Sequence, residues 1–551
     1  MNKEQAREDA WRQRFGAASV HWIQIAQQQP QRGLVCRMQA GLPQLFAWDI
    51  VSGVLTQRTH EPRGVTQAAL SADGATIYYL QDSQGDGIGH YMRLPFSDGP
   101  AHDLTPELPV YASYYISEST SGRFYGFMTY NQYGAQIYVV DAQRGGTPHL
   151  RYEGETITVG PLLSYDGEIA VVAVSQDDAD IAFDLEAYEV RGGERLHHLH
   201  DAPGASLQPI GFVPRAHDMR LLATSRSTGL LRPLIWNART GERRDLALPT
   251  LAGDVLPLDW SADGLHLLLS ETRQGAQRLY RYNLKTDTLE SLRPPLGVIS
   301  SAHFSAAGTI YAVLEDAATP AHVVELGGLT GEKLRTLLPA SGAASGQAWR
   351  SVDFASEDGT PIQGWLMRPA SAGPHPTIVF AHGGPQDVQL PSYAPDAQAW
   401  VDAGFAYMSV NYRGSESFGP EFIETVWGQP GRLELTDLCA AAHWLISAGI
   451  ARADSCFIAG SGYGGTLALL AATHAPDLWA GVLASGAIAD WGAAYEMLHP
   501  SLQAYARRLF GGTPQTAADT YTNASPLQQV ERLRGPVLLL NERSDLRSPA
   551  A

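Results

Sequence analysis

The stretch Cys456–Leu470, CFIAGSGYGGTLALL, decides how the C-terminal part of this chain folds. Phe457-Ile458-Ala459 is a short apolar run of the kind that forms a buried strand. Gly460-Ser461-Gly462-Tyr463-Gly464-Gly465 is a glycine-rich turn, and Thr466–Ala472 reads as a helix. A strand, a tight turn and a helix make an elbow that presents a nucleophile at its tip, in the pattern G-x-S-x-G. Its glycines allow close backbone approach and dihedrals that other residues avoid. Register is therefore decisive. Centred on Ser461, the flanking positions are Ala459 and Tyr463, and the pattern fails. Centred on position 462 they are Gly460 and Gly464, and the pattern fits, but the residue at the tip is Gly462.

Outward from the elbow, strands alternate with helices. Ser351–Phe354 and Ile362–Met367 read as a hairpin across Asp358-Gly359. Pro376–Ala381, Ala406–Val410, Trp479–Ala484 and Pro536–Leu540 read as buried strands. Gln398–Ala403 and Leu435–Ala448 read as helices between them. This alternation predicts a doubly wound, mostly parallel sheet, with its site at the strand C-terminal ends.

The N-terminal half has a different rhythm. Ser71-Ala72-Asp73-Gly74, Ser119-Thr120-Ser121-Gly122, Ser164-Tyr165-Asp166-Gly167, Ser261-Ala262-Asp263-Gly264 and Ser305-Ala306-Ala307-Gly308 each precede a short apolar strand. Val213-Pro214-Arg215 is a degenerate copy that splits the one double interval, and 34–53 supplies a further unit ahead of the first marker. Seven units at this spacing, each of several strands, predict a seven-bladed β-propeller. The boundaries expected are an N-terminal helix segment at 1–17, the propeller at 18–340 and the α/β part at 341–551, joined by the small-residue linker Pro339–Gly346. Within the first segment, residues 3–15 read as a helix with Ala10, Trp11 and Phe15 on its buried side.

Composition narrows the classes. The 551 residues exceed one ordinary core, and 44% hydrophobic with 17% charged residues is globular. A net charge of -18 argues against nucleic acid or an anionic membrane as the main partner. The three cysteines, Cys36, Cys439 and Cys456, form no CxxC pair, which suits a reducing compartment and speaks against structural zinc. The first residues lack the apolar region of a secretory signal, and no apolar run reaches the ~18 residues that span a bilayer. A cytoplasmic protein is expected, and no metal or organic cofactor is indicated.

Six blocks, in order, carry a family resemblance. They are His382-Gly383-Gly384-Pro385; Asn411-Tyr412-Arg413-Gly414-Ser415 with Phe418-Gly419; Gly428, Gly431 and Asp437; the elbow 460–465; Ser525-Pro526 leading to Pro536-Val537-Leu538-Leu539; and Asp545-Leu546-Arg547-Ser548-Pro549. A propeller followed by an α/β-hydrolase with these blocks resembles the prolyl oligopeptidase family of serine peptidases, and within it the acylaminoacyl peptidases. The resemblance implies acyl transfer: a serine attacks a carbonyl, a histidine takes its proton, and an aspartate orients the histidine. Carried over by position, Gly462 stands in the nucleophile's place. Asp545 is the orienting acid, and the N–H groups of Tyr463 and Gly384 are the oxyanion donors. His382 shapes the oxyanion turn. Arg413 either holds substrate or braces the site. Ser461 substitutes as nucleophile only if the turn shifts by one residue.

Two departures follow. The tip carries no side chain, and the sequence ends at Ala551, six residues after Asp545. There the family continues with a strand, a histidine loop and a closing helix. The α/β-hydrolase domain is therefore expected to be incomplete at its C-terminus, to expose apolar surface, and to be less stable than a full-length relative or sealed by homo-oligomerisation. The leading expectation is a serine-type oligopeptidase for short or N-blocked peptides, inactive or strongly impaired in this chain. The alternatives are a non-catalytic peptide- or protein-binding relative and an esterase on the same site. No Glu-Glu pair occurs, which disfavours dipeptidyl specificity.

Overall fold

The computed structural model describes residues 3–542 apart from 83, 132–133, 145–146, 177–181, 203, 341, 343 and 499. The chain opens with helix α1 (Lys3–Phe15). Its buried anchor is not the aromatic pair expected from the sequence. Trp11 and Phe15 are each 51% exposed, and Arg14 is 2% exposed. The Arg14 guanidinium bonds Asp402 at 2.9 Å and the carbonyls of Ala344 and Ser345 at 3.3 and 2.8 Å. Four hydrogen bonds from this fixed fork, to a carboxylate and two carbonyls, anchor the helix where an aromatic face was expected.

From residue 20 to 338 the strands form seven four-stranded antiparallel units, the blades of the propeller. Blades 2 and 3 are joined into one nine-stranded sheet by the short strand Tyr111–Ala112, which pairs with both. The repeated serine–glycine markers lie between the first and second strands of blades 2, 3, 4, 6 and 7. In each, the Gly N–H donates to the Ser carbonyl at 2.8–2.9 Å with φ between +65° and +78°. The Ser hydroxyl accepts from the first amides of the next strand, as at Thr76, Phe124, Ile169 and His266. The marker thus satisfies a turn whose positive φ favours glycine.

Every blade is built from consecutive strands, so the ring closes by contact between blades 7 and 1. Val20, Ile23 and Trp48 pack there against Val313, Val323 and Leu338. Burial of side chains of this size contributes about 1.5–3 kcal/mol each.

Among the described residues, 350–540 contain one seven-stranded sheet. Its strands are β1 (Arg350–Ala355), β2 (Pro361–Met367), β3 (His375–Ala381), β4 (Ala406–Asn411), β5 (Ala451–Ser461), β6 (Gly481–Ser485) and β7 (Val537–Leu540), in the order β1-β2-β4-β3-β5-β6-β7. β1 and β2 pair antiparallel to their neighbours, and the rest run parallel. Four helices matter to the site: α2 (Pro395–Asp402), α3 (Leu433–Ser447), α4 (Tyr463–His474) and α5 (Pro500–Phe510). The largest hydrophobic cluster lies under this sheet and around α3 and α4. The strand β7 leaves Leu538, Leu539 and Leu540 50–58% exposed. No helix among the described residues is long and apolar enough to cross a membrane.

The Arg14 clasp is testable. Arg14→Ala strands the Asp402 carboxylate and two carbonyls, so it lowers stability by about 1–3 kcal/mol. Trp11→Ala, on the exposed side, stays within about 0.5 kcal/mol. Urea midpoints of the two variants should fall in that order.

Candidate active site

The elbow forms because three backbones meet at the ends of β3, β5 and β6. A Cβ on Gly464 would overlap the carbonyl oxygens of Ala381 and His382, and one on Gly460 would overlap the Gly464 carbonyl. A Cβ on Gly465 would sit 2.7 Å from the Ser485 oxygen. These three glycines are required by contact. Gly462 differs. It lies at φ +57°, ψ −123°, and nothing comes within 4 Å of where its Cβ would be. The backbone of a nucleophile tip is therefore present, held by the Gly462 N–H donating to Ser485 O at 2.8 Å, with open space where a side chain would project.

That space belongs to a cleft of about 520 Å³. One wall is Gly384, Ser461, Gly462 and the amide side of Tyr463. The facing wall is apolar: Ile488, Trp491, Leu498, Leu502 and Leu509. Asp387 and Glu542 stand at its polar side, and the lining described contains no histidine. The amides of Tyr463 and Gly384 have no acceptor among the described residues. The Tyr463 N–H is also the first of α4, where helix N–H groups are unpaired and the dipole favours negative charge. Both residues, Tyr463 and Gly384, line the cleft.

Each side chain expected at the site has a definite place. Ser461 ends β5 exposed and lines the cleft. Tyr463 turns its ring inward, and its hydroxyl donates to Glu434 at 2.7 Å. His382 is 5% exposed, stacked on Tyr412 with ring centroids 4.3 Å apart. Its Nδ1 lies 2.7 Å from Gly383 O and its Nε2 2.8 Å from Ser415 Oγ. Burial lowers its pKa and keeps it neutral. Ser415 Oγ also donates to the Tyr412 carbonyl at 2.6 Å, so the histidine is joined through this hydroxyl to the segment that follows β4. His382 is thus a brace for the turn after β3. Arg413 is a correction to its substrate-holding role. Its guanidinium is spent on Asp437 at 2.6–3.1 Å, Ser356 at 3.1 Å and Asp358. None of these groups lines the cleft. Asp545 and the rest of its loop lie outside the described residues.

Sequence reasoning missed the apolar wall and Glu434. Leu502, Tyr505, Ala506 and Leu509 recur at helical spacing on α5, a signal that marks an amphipathic helix. Glu434 is fully buried in the first turn of α3 and accepts from Gly431 and Arg432 N–H groups at 3.1 Å as well as from Tyr463. Burial raises its carboxyl from 4.5 to about 7. No cluster of three or more metal-ligating side chains occurs among the described residues.

The comparisons with known proteins bear on the fold and on the C-terminal part of the chain. Residues 391–551 match the model of the prolyl oligopeptidase family. Dipeptidyl aminopeptidase BIII of Pseudoxanthomonas mexicana is 29% identical over 218 residues, 36% of this chain and 30% of that one. Acylamino-acid-releasing enzyme 2 of Oryza sativa subsp. japonica is 25% identical over 207 residues, 36% of this chain and 27% of that one. In these alignments the chain therefore spans less than a third of each relative's length. Among solved structures, a Mycobacterium tuberculosis puromycin-hydrolyzing peptidase superposes with a TM-score of 0.81 at 19% identity, covering 98% of this chain and 88% of its own. A Pyrococcus horikoshii acylaminoacyl peptidase superposes with a TM-score of 0.77 at 17% identity, covering 97% and 87%. These structures share the propeller with an α/β-hydrolase.

Two outcomes are expected. Gly462→Ser places its Cβ in open space and bears the backbone strain, about 1–3 kcal/mol. Gly464→Ala must push two carbonyls away and destabilises more, which urea unfolding of the pair would show. The Glu434 carboxyl binds its proton more tightly in the folded than in the unfolded chain. Folded stability therefore falls as pH rises from about 4.5 through 7, by on the order of 3 kcal/mol. Glu434→Gln should flatten the decline in urea midpoint between pH 5 and 8, and an unchanged slope would contradict it.

Proposed function

We propose that this chain, with a prolyl oligopeptidase-family domain at 391–551, is a serine-type oligopeptidase by its site. In this reading it takes short or N-blocked peptides and is strongly impaired in acyl transfer. The observation that carries it is Gly462 in a nucleophile's backbone conformation, over a cleft with two free amides and an apolar wall. A peptide would place a carbonyl between the Tyr463 and Gly384 N–H groups and an apolar side chain against Leu502, Trp491 and Leu509. Without a hydroxyl at 462 no covalent acyl-enzyme forms there. Ser461 ends a regular strand and its register with Ser485 leaves it one residue short of the tip. The residual acceleration then comes from oxyanion binding and orientation alone, roughly 10³–10⁴ over water in the best-measured triad.

The same vacancy favours a second reading, in which the cleft binds peptides without cleaving them. Intact mass and peptide mapping after a fluorophosphonate probe separate active from inactive elbows. No adduct on the chain is expected, and an adduct on Ser461 would overturn the reading. An N-acetylated peptide with an apolar residue should still bind, read by calorimetry, and Leu502→Asp should weaken that binding at least tenfold. Equal binding by this variant would move the ligand elsewhere.

A further inference from the structure

The loop 411–419 touches the propeller at two adjacent residues and the oxyanion turn at the residues just before them. Blade 6 reaches it with the hairpin between strands His266–Arg273 and Ala276–Asn283. Gln274 and Gly275 form its two-residue turn at φ +50° and +69°. The Gln274 N–H donates to Ser417 O at 2.9 Å, and the Gly275 N–H donates to Ser417 Oγ at 3.0 Å. Ser417 is buried and held at φ +73°. The tip is packed closely: a Cβ on Gly275 would lie 3.0 Å from Asn411 Nδ2 and from Gln363 Oε1. Blade 5 reaches the neighbouring residue, with Arg226 paired to Glu416 at 3.3 Å and to Asp254 at 3.4 Å.

On its other side the loop holds the turn after β3. Ser415 Oγ meets His382 Nε2 at 2.8 Å, Tyr412 donates to His382 O at 2.8 Å, and the Glu416 N–H donates to Asp387 O at 2.9 Å. Residues 382–387 are thus fastened by 412, 415 and 416, and 416 and 417 are fastened by the propeller. A serine buried at positive φ is a strained conformation that persists only when its surroundings impose it. Here two backbone amides from another domain do so.

We infer that the blade 6 hairpin, through Gln274, Gly275 and Ser417, is a positioning element for the Gly383–Gly384 oxyanion turn. Undocking the propeller at this tip then loosens the oxyanion donor. The oxyanion role of that turn rests on the proposed function, but its mechanical coupling does not.

The test is hydrogen–deuterium exchange by mass spectrometry on the full chain. Gly275→Val forces the tip off Asn411 and Gln363. It should raise exchange at least tenfold in peptides covering 382–390 and 411–419, with the sheets of blades 2–4 unchanged. Gly41→Val is the matched control. Ala40-Gly41 forms the same kind of turn at φ +51° and +83°, and nothing lies within 4 Å of the Gly41 Cβ position. Its effect should stay within 32–49. Ser417→Ala removes one hydrogen bond and should give a smaller rise in the same two segments. A rise confined to 266–283 in Gly275→Val overturns the inference. If that variant does not fold, unchanged exchange at 382–390 in both Ser417→Ala and Arg226→Gln overturns it instead. Peptide hydrolysis enters none of these readings, so failure of the proposed function and failure of the coupling are told apart.

Discussion

The approach of helix α4 to the ends of β3 and β5 is the constraint from which the site follows. With hydrogen in place of a side chain at Gly464, the helix starts directly on the carbonyls of Ala381 and His382. That contact sets the Tyr463 amide beside the turn that carries the Gly384 amide, on the lining of one cleft. It also turns the Tyr463 ring downward onto Glu434, so the donor's own side chain is tied to a buried carboxylate. A methyl group at Gly464 would separate these parts, whereas the same change at Gly462 meets only open space. The scaffold of the elbow and the identity of the residue at its tip are therefore physically independent.

Much of this architecture is legible in the residues alone, and the reasons differ from place to place. The serine–glycine markers are legible because each turn needs a positive φ and a hydroxyl acceptor at fixed offsets, a local requirement written in local residues. The elbow is legible for the same reason. Trp11 and Phe15 mislead because helix α1 docks by Arg14, whose partners at 344, 345 and 402 are more than 300 residues away. Arg413 leaves two readings open for the same cause. Only the fold shows that Asp437, Ser356 and Asp358 converge on it. The apolar wall of the cleft has a helical spacing that marks α5, but its contact with the elbow depends on how α5 is laid across the sheet.

His382 illustrates how a titratable group beside the elbow can have both of its nitrogens engaged by its own surroundings. Its two nitrogens are committed to a carbonyl and a hydroxyl, its ring is stacked on Tyr412, and burial keeps it uncharged. The histidine contributes rigidity to the turn that carries the Gly384 amide.

Arg14 also changes how the ring of blades is closed. The first blade begins at Val20 and the last ends at Leu338, so the joint between them is the one place where neighbouring blades have no chain running directly from one to the next. Arg14 precedes that first strand, and its guanidinium grips the carbonyls of Ala344 and Ser345 just beyond the last one. The two chain segments that leave the ring are thereby tied to each other and, through Asp402, to helix α2. A bracelet made of one continuous strip needs a fastener where its ends meet. Here apolar packing between blades 7 and 1 closes the joint, and Arg14 adds a clasp fixed to helix α2.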